Sequence, residues 1–257
     1  MKKDDLNILL SNDDGINAPG LAALYHEIRK LGKVTIVAPD SEKSAVGHAI
    51  TLSDPLRVWE VNKNGKLFGY AVNGTPADCV KIAHWALLDE KPDLLISGIN
   101  LGSNTGINAI YSGTVSAATE GSILEIPSFA ISLTTYSKPN FDYAAKFARK
   151  LSRYVLKHGL PIGTLLNVNV PSVKEDEITG VQITRQGQAN YLERFDKRID
   201  PHNRVYYWLT GKKVKLEQDG DVDDRAVLDK KVSITPLHYD LTNYKYLEEL
   251  KSWRISS

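Results

Sequence analysis

The sequence is short of several things, and each shortage excludes a class of protein. It has one cysteine, Cys79, so no disulfide can form within the chain, and without a Cys/His cluster a structural zinc site is not indicated. A reducing cytoplasm is the expected location. No stretch approaches the roughly 18 consecutive apolar residues that span a bilayer, and Met1-Lys2-Lys3-Asp4-Asp5 is followed by only a short apolar run in place of a signal-peptide core. No membrane partner is expected. Net charge is nearly absent: 32 Lys and Arg against 31 Asp and Glu leave +1, too weak a field to gather a nucleic-acid polymer or an anionic membrane. Any anionic ligand must be captured locally. The chain also lacks a P-loop, a full Gly-x-Gly-x-x-Gly fingerprint and a Gly-x-Ser-x-Gly elbow, which argues against an NTPase, a dinucleotide dehydrogenase and an α/β-hydrolase nucleophile. We find no internal repeat or low-complexity tract.

What is present is ordinary globular composition, 42% hydrophobic and 25% charged over 257 residues, enough for one large domain or one and a half. Short apolar runs bounded by turn residues alternate with segments of helical spacing, the pattern of repeated βαβ units. Leu6 to Leu10 reads as a buried parallel strand ended by Ser11-Asn12-Asp13-Asp14-Gly15. Pro19 suits a first helical position, Leu21, Leu24, Ile28 and Leu31 share one face, and Gly32 fits a C-terminal cap. Val34 to Ala38 reads as a second strand and Pro39 to Ser53 as a long polar loop. Thr75-Pro76-Ala77-Asp78 is a compact helix start, with Thr75 as N-cap and Asp78 reaching back to it, in a helix running to about Leu88. Leu94 to Ser97 is a further strand; Gly98 to Asn104 has too many small and amide residues to continue it. A helix follows Ser112-Gly113-Thr114 to about Leu124, then a strand from Phe129 to Leu133 and a helix from about Tyr143 to Leu156. Beyond Leu165 to Pro171 the texture becomes β-rich, with Val205 to Leu209 and Val232 to Thr235 separated by charged stretches such as Glu217 to Arg225.

In an open parallel sheet the ligand crevice lies outside the carboxyl ends of the strands, and three polar loops emerge there. Asn12, Asp13 and Asp14 form the first. Adjacent carboxylates in a crevice repel unless a cation sits between or beside them, and oxygen donors select a hard ion, Mg²⁺, Mn²⁺ or Ca²⁺, over zinc; the plain alternative is a turn and a helix cap. In the second loop Ser44 can offer a hydroxyl ligand, and His48 can donate a proton or contact a phosphate, against solvated and structural readings of each. In the third, Asn100 and Asn104 can give amide oxygens to a metal or amide protons to an anion. Ser112, Gly113 and Thr114 stand where a helix begins, so their N–H groups and hydroxyls can cradle a phosphate or serve as an ordinary cap.

Taken together, Ser11 to Gly15, Val37-Ala38-Pro39-Asp40 with Ser44 to His48, Asn73 to Val80, Ser97-Gly98-Ile99-Asn100 and Tyr111 to Val115 resemble the SurE family of survival proteins, in the family's order. Leu101 departs from it, being apolar where many relatives carry a polar residue. The resemblance implies an α/β fold: a Rossmann-like three-layer sandwich with a mostly parallel sheet. Residues 1–165 would be its metal- and phosphate-binding core, and residues 166–257 would complete that core and add a β-rich C-terminal extension used in oligomerisation. It further implies one divalent cation, Mg²⁺ or Mn²⁺, with Ca²⁺ as a crystal substitute, held by Asp13, Asp14, Ser44 and Asn100. The implied activity is hydrolysis of nucleoside 5′- and 3′-monophosphates, with short-chain polyphosphate as a further substrate, in a homodimer or homotetramer. On that reading Asp13 and Asp14 are catalytic, and Asn12, His48, Asn104, Ser112, Gly113 and Thr114 hold the phosphate. Two rivals stand beside it: an aspartyl-phosphate phosphatase, against which the acids are adjacent and not spaced Asp-x-Asp, and a non-catalytic metal- and nucleotide-sensing module.

Overall fold

A computed structural model describes residues 6–188, 190–214, 217, 219–253 and 255. Among these, β1 (Asn7–Ser11), β2 (Lys33–Pro39), β3 (Val58–Lys63), β4 (Lys66–Val72), β5 (Leu94–Leu101), β6 (Ser128–Leu133), β7 (Thr164–Val170), β8 (Gly180–Ile183) and β11 (Lys231–His238) form one nine-stranded sheet. Its order is β3-β4-β2-β1-β5-β6-β7-β11-β8. The run from β4 to β7 is parallel; β3 and β11 each pair antiparallel, with β4 and β7. The expected mostly parallel α/β architecture is the one observed.

Strand side chains alternate between faces, and the core follows that alternation. Ile8, Leu10, Leu94 and Ile96 pack on one side with Leu21, Leu24 and Ile28 of α1 (Pro19–Ile28) and Ala144, Ala148 and Leu151 of α5 (Asp142–His158). Leu9 and Leu95 point to the other side, toward Cys79, Val80 and Ala117 of α2 (Pro76–Ile82) and α4 (Gly113–Ile123). A short α3 (Asn108–Tyr111) precedes α4. These are the three layers.

Thr75 caps α2 as read from sequence: its hydroxyl accepts from Asp78 N–H while the Asp78 carboxylate accepts from Thr75 N–H. The helix then continues as a π-helical turn over Ala83–Leu87. β5 is longer than expected, running through Gly98 to Leu101. A Cβ at Gly98, where φ is +139°, would lie 2.3 Å from Ile131 O, so the small residue is what lets β5 stay against β6. The later β-rich residues divide: β8 and β11 join the main sheet, while β9 (Asn190–Ile199) and β10 (Val205–Val214) form a separate antiparallel pair. The charged stretch Glu217 to Arg225 enters α6 (Asp223–Leu228), where Asp223 and Asp224 are buried, and α7 (Tyr244–Lys251) carries no buried residue.

Candidate functional site

β1 lies between β2 on one side and β5 on the other, so the strand order reverses at β1 and β5. A ligand crevice is expected at their carboxyl ends, and Asp13 and Asp14 stand at the end of β1. Asp13 is 4% exposed. Its Oδ1 accepts a hydrogen bond from Thr114 Oγ1, and the Thr114 N–H also donates to the carboxylate. Asp14 Oδ2 accepts from Leu101 N–H at 3.3 Å, which ties the first loop to the end of β5. Leu101 contributes through its backbone, while its side chain packs on the core.

The amino end of α4 approaches Asp13 because Gly113 has no side chain: a Cβ there would sit 2.7 Å from Asp13 Cβ and 3.0 Å from its Oδ2. Ser112 is the N-cap, its hydroxyl accepting from Val115 N–H at 3.1 Å. The first-turn N–H groups and the positive helix end therefore face a buried carboxylate. The polar loop after β2 is pinned beside them, with Lys43 N–H donating to Asp13 O at 2.8 Å and Gly47 N–H to Tyr111 O at 3.0 Å. Ser44, in that loop, donates to Glu42 Oε1 at 2.6 Å.

Charge in this cluster is one-sided. Burial pushes the Asp13 carboxyl above its ordinary range, against the opposing Thr114 hydrogen bonds. Burial, and then the neighbouring Asp13, push Asp14 up to about 6, and Glu42 adds to the repulsion. Among the described residues no Lys, Arg or His ion-pairs with Asp13 or Asp14. No three His, Cys, Asp or Glu side chains gather as a metal site among those residues either, so cation binding here needs neutral oxygens as well. They are at hand. Asn100 Nδ2 is committed to Gly102 O at 2.9 Å, which leaves the oxygen end of the amide as a donor atom. Asn12 Nδ2 donates to Gly15 O at 2.9 Å, and its Oδ1 is buried without a partner. Two repelling carboxylates, an unpaired amide oxygen and a nearby hydroxyl fit a hard divalent cation.

The other residues singled out in the sequence are engaged with protein groups. His48 Nε2 lies 2.8 Å from Glu120 Oε2, and the same buried carboxylate takes Lys81 Nζ at 2.7 Å. Asn104 is held on every side: its N–H donates to Asn169 Oδ1 at 2.8 Å, its Nδ2 to Ser132 Oγ at 2.8 Å, and its carbonyl accepts from Asn167 Nδ2 at 2.7 Å. Asn167 and Asn169 are two apart in buried β7, so they face the same way, a spacing visible in the sequence.

Sequence reading missed the buried acids of α6. Asp223 accepts from Gly106 N–H at 2.8 Å and from Gly187 N–H at 3.0 Å, and Thr105 Oγ1 donates to Asp224 Oδ1 at 2.6 Å. Together they clamp the loop that follows β5 onto the distal part of the chain. Nothing local announces this, because the partners, two backbone N–H groups and a threonine hydroxyl, lie far away in sequence.

A family model described as Survival protein SurE matches residues 8–193. The 5′-nucleotidase SurE of Syntrophobacter fumaroxidans is 49% identical over 250 residues, covering 97% of this chain and all of the relative. That of Moorella thermoacetica is 50% identical over 247 residues, 96% of this chain and 95% of the relative. The crystal structure of the SurE protein from Aquifex aeolicus superposes with a TM-score of 0.85 at 43% identity, covering 97% of this chain and 100% of that one. With fold, loop order and full-length similarity in agreement, the chain belongs to the SurE family.

Proposed function

We infer that the chain is a 5′-nucleotidase, a phosphomonoesterase that releases phosphate from nucleoside monophosphates. The observation that carries this is the meeting of Asp13 with the amino end of α4 at the strand-order reversal, a carboxylate beside an anion-binding helix terminus. Full-length relatives bearing the name 5′-nucleotidase SurE support the same reading. We extend it to 3′-nucleotides and short polyphosphate as secondary substrates, and to one divalent cation, Mg²⁺ or Mn²⁺, held by Asp13, Asp14, Ser44 and Asn100. When bound, such an ion would supply Lewis-acid polarisation of a phosphoryl oxygen.

The residues then divide the work. The Gly113 N–H and the Ser112 hydroxyl bind the phosphoryl oxygens and oppose their growing charge in the transition state, while Thr114, whose N–H and hydroxyl hold Asp13, borders the phosphate. Asn12, its Nδ2 bonded to Gly15 O, shapes the turn that presents the acids to the phosphate. Asn104, immobilised by Ser132, Asn167 and Asn169, fixes the far wall. Asp13 and Asp14 flank the reacting centre, and Asp13 is the carboxylate we assign to accept the proton of the attacking water; a bound divalent cation would lower the proton affinity of both. His48, oriented by Glu120, is the residue we assign to the phosphate from the loop after β2. We place the protein in the cytoplasm, where nucleotide monophosphates are available; among the described residues no helix is long and apolar enough to cross a membrane. Residues 1–165 carry the site, and residues 166–257 complete the sheet and supply the surfaces for a homodimer or homotetramer.

The test is phosphate release from a panel of nucleoside monophosphates, with Mg²⁺ or Mn²⁺ and then with chelator, for wild type and Asp13→Asn. Release that chelator stops, and that falls at least a thousandfold in D13N while the far-UV spectrum is unchanged, is the expected result. A wild type that binds metal and nucleotide but releases no phosphate would favour the sensing module instead. A trapped acyl phosphate on Asp13 would favour the aspartyl-phosphate rival.

A further inference from the structure

We propose that Glu120 and Lys81 are positioning residues for phosphate capture: Glu120 grips the His48 ring by Nε2, Lys81 grips Glu120, and the ring thereby serves the cradle through Nδ1. The assignment rests on the nucleotidase reading and deepens it, because it names what sets the working nitrogen of His48. The backbone places His48 between the ends of two helices. The residue before it, Gly47, donates its N–H to Tyr111 O at 3.0 Å, next to the cap Ser112. The residue after it, Ala49, accepts at its carbonyl from Thr75 Oγ1 at 2.7 Å, at the start of α2. Those two helix starts adjoin, since a Cβ at Gly113 would lie 3.1 Å from Pro76 Cγ. His48 is therefore strung across the junction where the Gly113 N–H and the Ser112 hydroxyl stand.

Glu120 stands about two turns along α4 from Gly113. It is 2% exposed, and its two oxygens meet nitrogens from two other elements: Lys81 Nζ of α2 at 2.7 Å and His48 Nε2 at 2.8 Å. A buried ion pair adds little stability over well-packed apolar residues; what this one supplies is orientation. Burial works against the ionised carboxylate, but the bonds from His48 and Lys81 outweigh it and hold Glu120 below its ordinary range. An ionised carboxylate only accepts, so the hydrogen of the shared bond belongs to Nε2. That fixes the tautomer and leaves Nδ1, which no bond engages among the described residues, on a side chain 31% exposed. Asp78, the carboxylate at the start of α2, is filled by Thr51 and Thr75 and does not compete for the ring. Nδ1 then meets a phosphoryl oxygen through a single proton, donated by the imidazolium to a dianion or accepted by the neutral ring from a protonated ester.

The experiment is a double-mutant cycle on kcat/KM for AMP, with wild type, Glu120→Ala, His48→Gln and the two combined. E120A and H48Q should each lose about tenfold, the worth of one charge-assisted hydrogen bond. The combined variant should lose no more than H48Q alone, because Glu120 works only through His48. Glu120→Gln, whose amide oxygen still accepts from Nε2, should recover most of the loss. Lys81→Met should lose less than E120A and nothing further in the H48Q background; that pair supplies the same cycle if E120A does not fold. Independently of turnover, the ring nitrogen shifts of His48, read by NMR at about pH 8 where an imidazole is ordinarily neutral, should place the proton on Nε2 in wild type and show a tautomer mixture in E120A. Losses that multiply in the combined variants, full activity in E120A, or a wild-type proton on Nδ1 would overturn the assignment. A wild type that releases no phosphate from AMP, yet whose His48 tautomer depends on Glu120, would retain it and overturn the nucleotidase reading instead.

Discussion

Gly113 is the residue on which the approach of α4 to the acids depends. Alanine there fits a helical backbone and gains about 0.5–1 kcal/mol over glycine. Its Cβ, however, would lie 2.7 Å from Asp13 Cβ and 3.1 Å from Pro76 Cγ, and such overpacking costs about 1–3 kcal/mol. The two effects nearly offset in stability, whereas the displacement falls entirely on the site. Gly113→Ala should therefore lose at least tenfold in kcat while its melting temperature moves by only a few degrees; an unchanged kcat would show that the close approach is not needed. Asp14 yields a prediction in pH. Its folded pKa of about 6 lies above the ordinary 3.8, so between roughly pH 4 and pH 6 the folded chain keeps a proton that the unfolded chain has released. The contribution of Asp14 to stability falls as pH rises through that window. In chelator, the melting temperature of wild type should decline from pH 4 to pH 6, and Asp14→Asn should flatten part of the decline; parallel curves would refute it. These acids were legible in the sequence because a buried-type strand ends in two of them. Asp223 and Asp224 were not, because Asp223 is held by the N–H groups of Gly106 and Gly187 and Asp224 by the Thr105 hydroxyl, partners that no local pattern reveals.

Among the elements, the start of α2 does more than begin a helix. The Asp78 carboxylate accepts from Thr51 N–H, Thr51 Oγ1 and Thr75 N–H, and Thr75 Oγ1 donates to Ala49 O at 2.7 Å. The cap thus also fastens the far end of the loop that carries Ser44 and His48. Asp78→Ala should cost roughly 2–4 kcal/mol, since three buried or half-buried donors lose their acceptor, and should open the 49–57 segment to protease before the rest of the chain; simultaneous cleavage everywhere would contradict it. The β3–β4 hairpin shows what sequence reading passed over. Its turn is Asn64-Gly65, with φ of +53° and +72°, between Lys63 and Lys66 that pair directly. An Asn-Gly step between alternating residues is a strong local hairpin signal. It was obscured because β3 is an exposed edge with little apolar alternation. β5 failed differently: its small and amide residues look like a loop, and only contact with β6 keeps them extended.

At the scale of the whole molecule, the β9–β10 pair is the feature out of proportion. Leu192, Phe195, Trp208 and Leu209 are 60%, 64%, 58% and 59% exposed, and α7 buries nothing within the chain. Apolar surface of this extent calls for a partner, and a second copy meets the self-association we propose. Light scattering should give a mass that is a multiple of 28.5 kDa, and Phe195→Glu with Trp208→Glu should reduce it toward that value; an unaltered assembly would place the interface elsewhere.

The position of β11 has a consequence in time. It lies between β7 and β8, and among the described residues β8 has no other neighbour in the sheet. Asp223, which clamps the loop after β5, lies just before it in the chain. A ribosome therefore releases Asp13, Asp14 and the amino end of α4 long before the pieces that lock them. During synthesis the nascent chain carries every reacting group without the frame that aligns them, so activity should appear only when the last strand emerges.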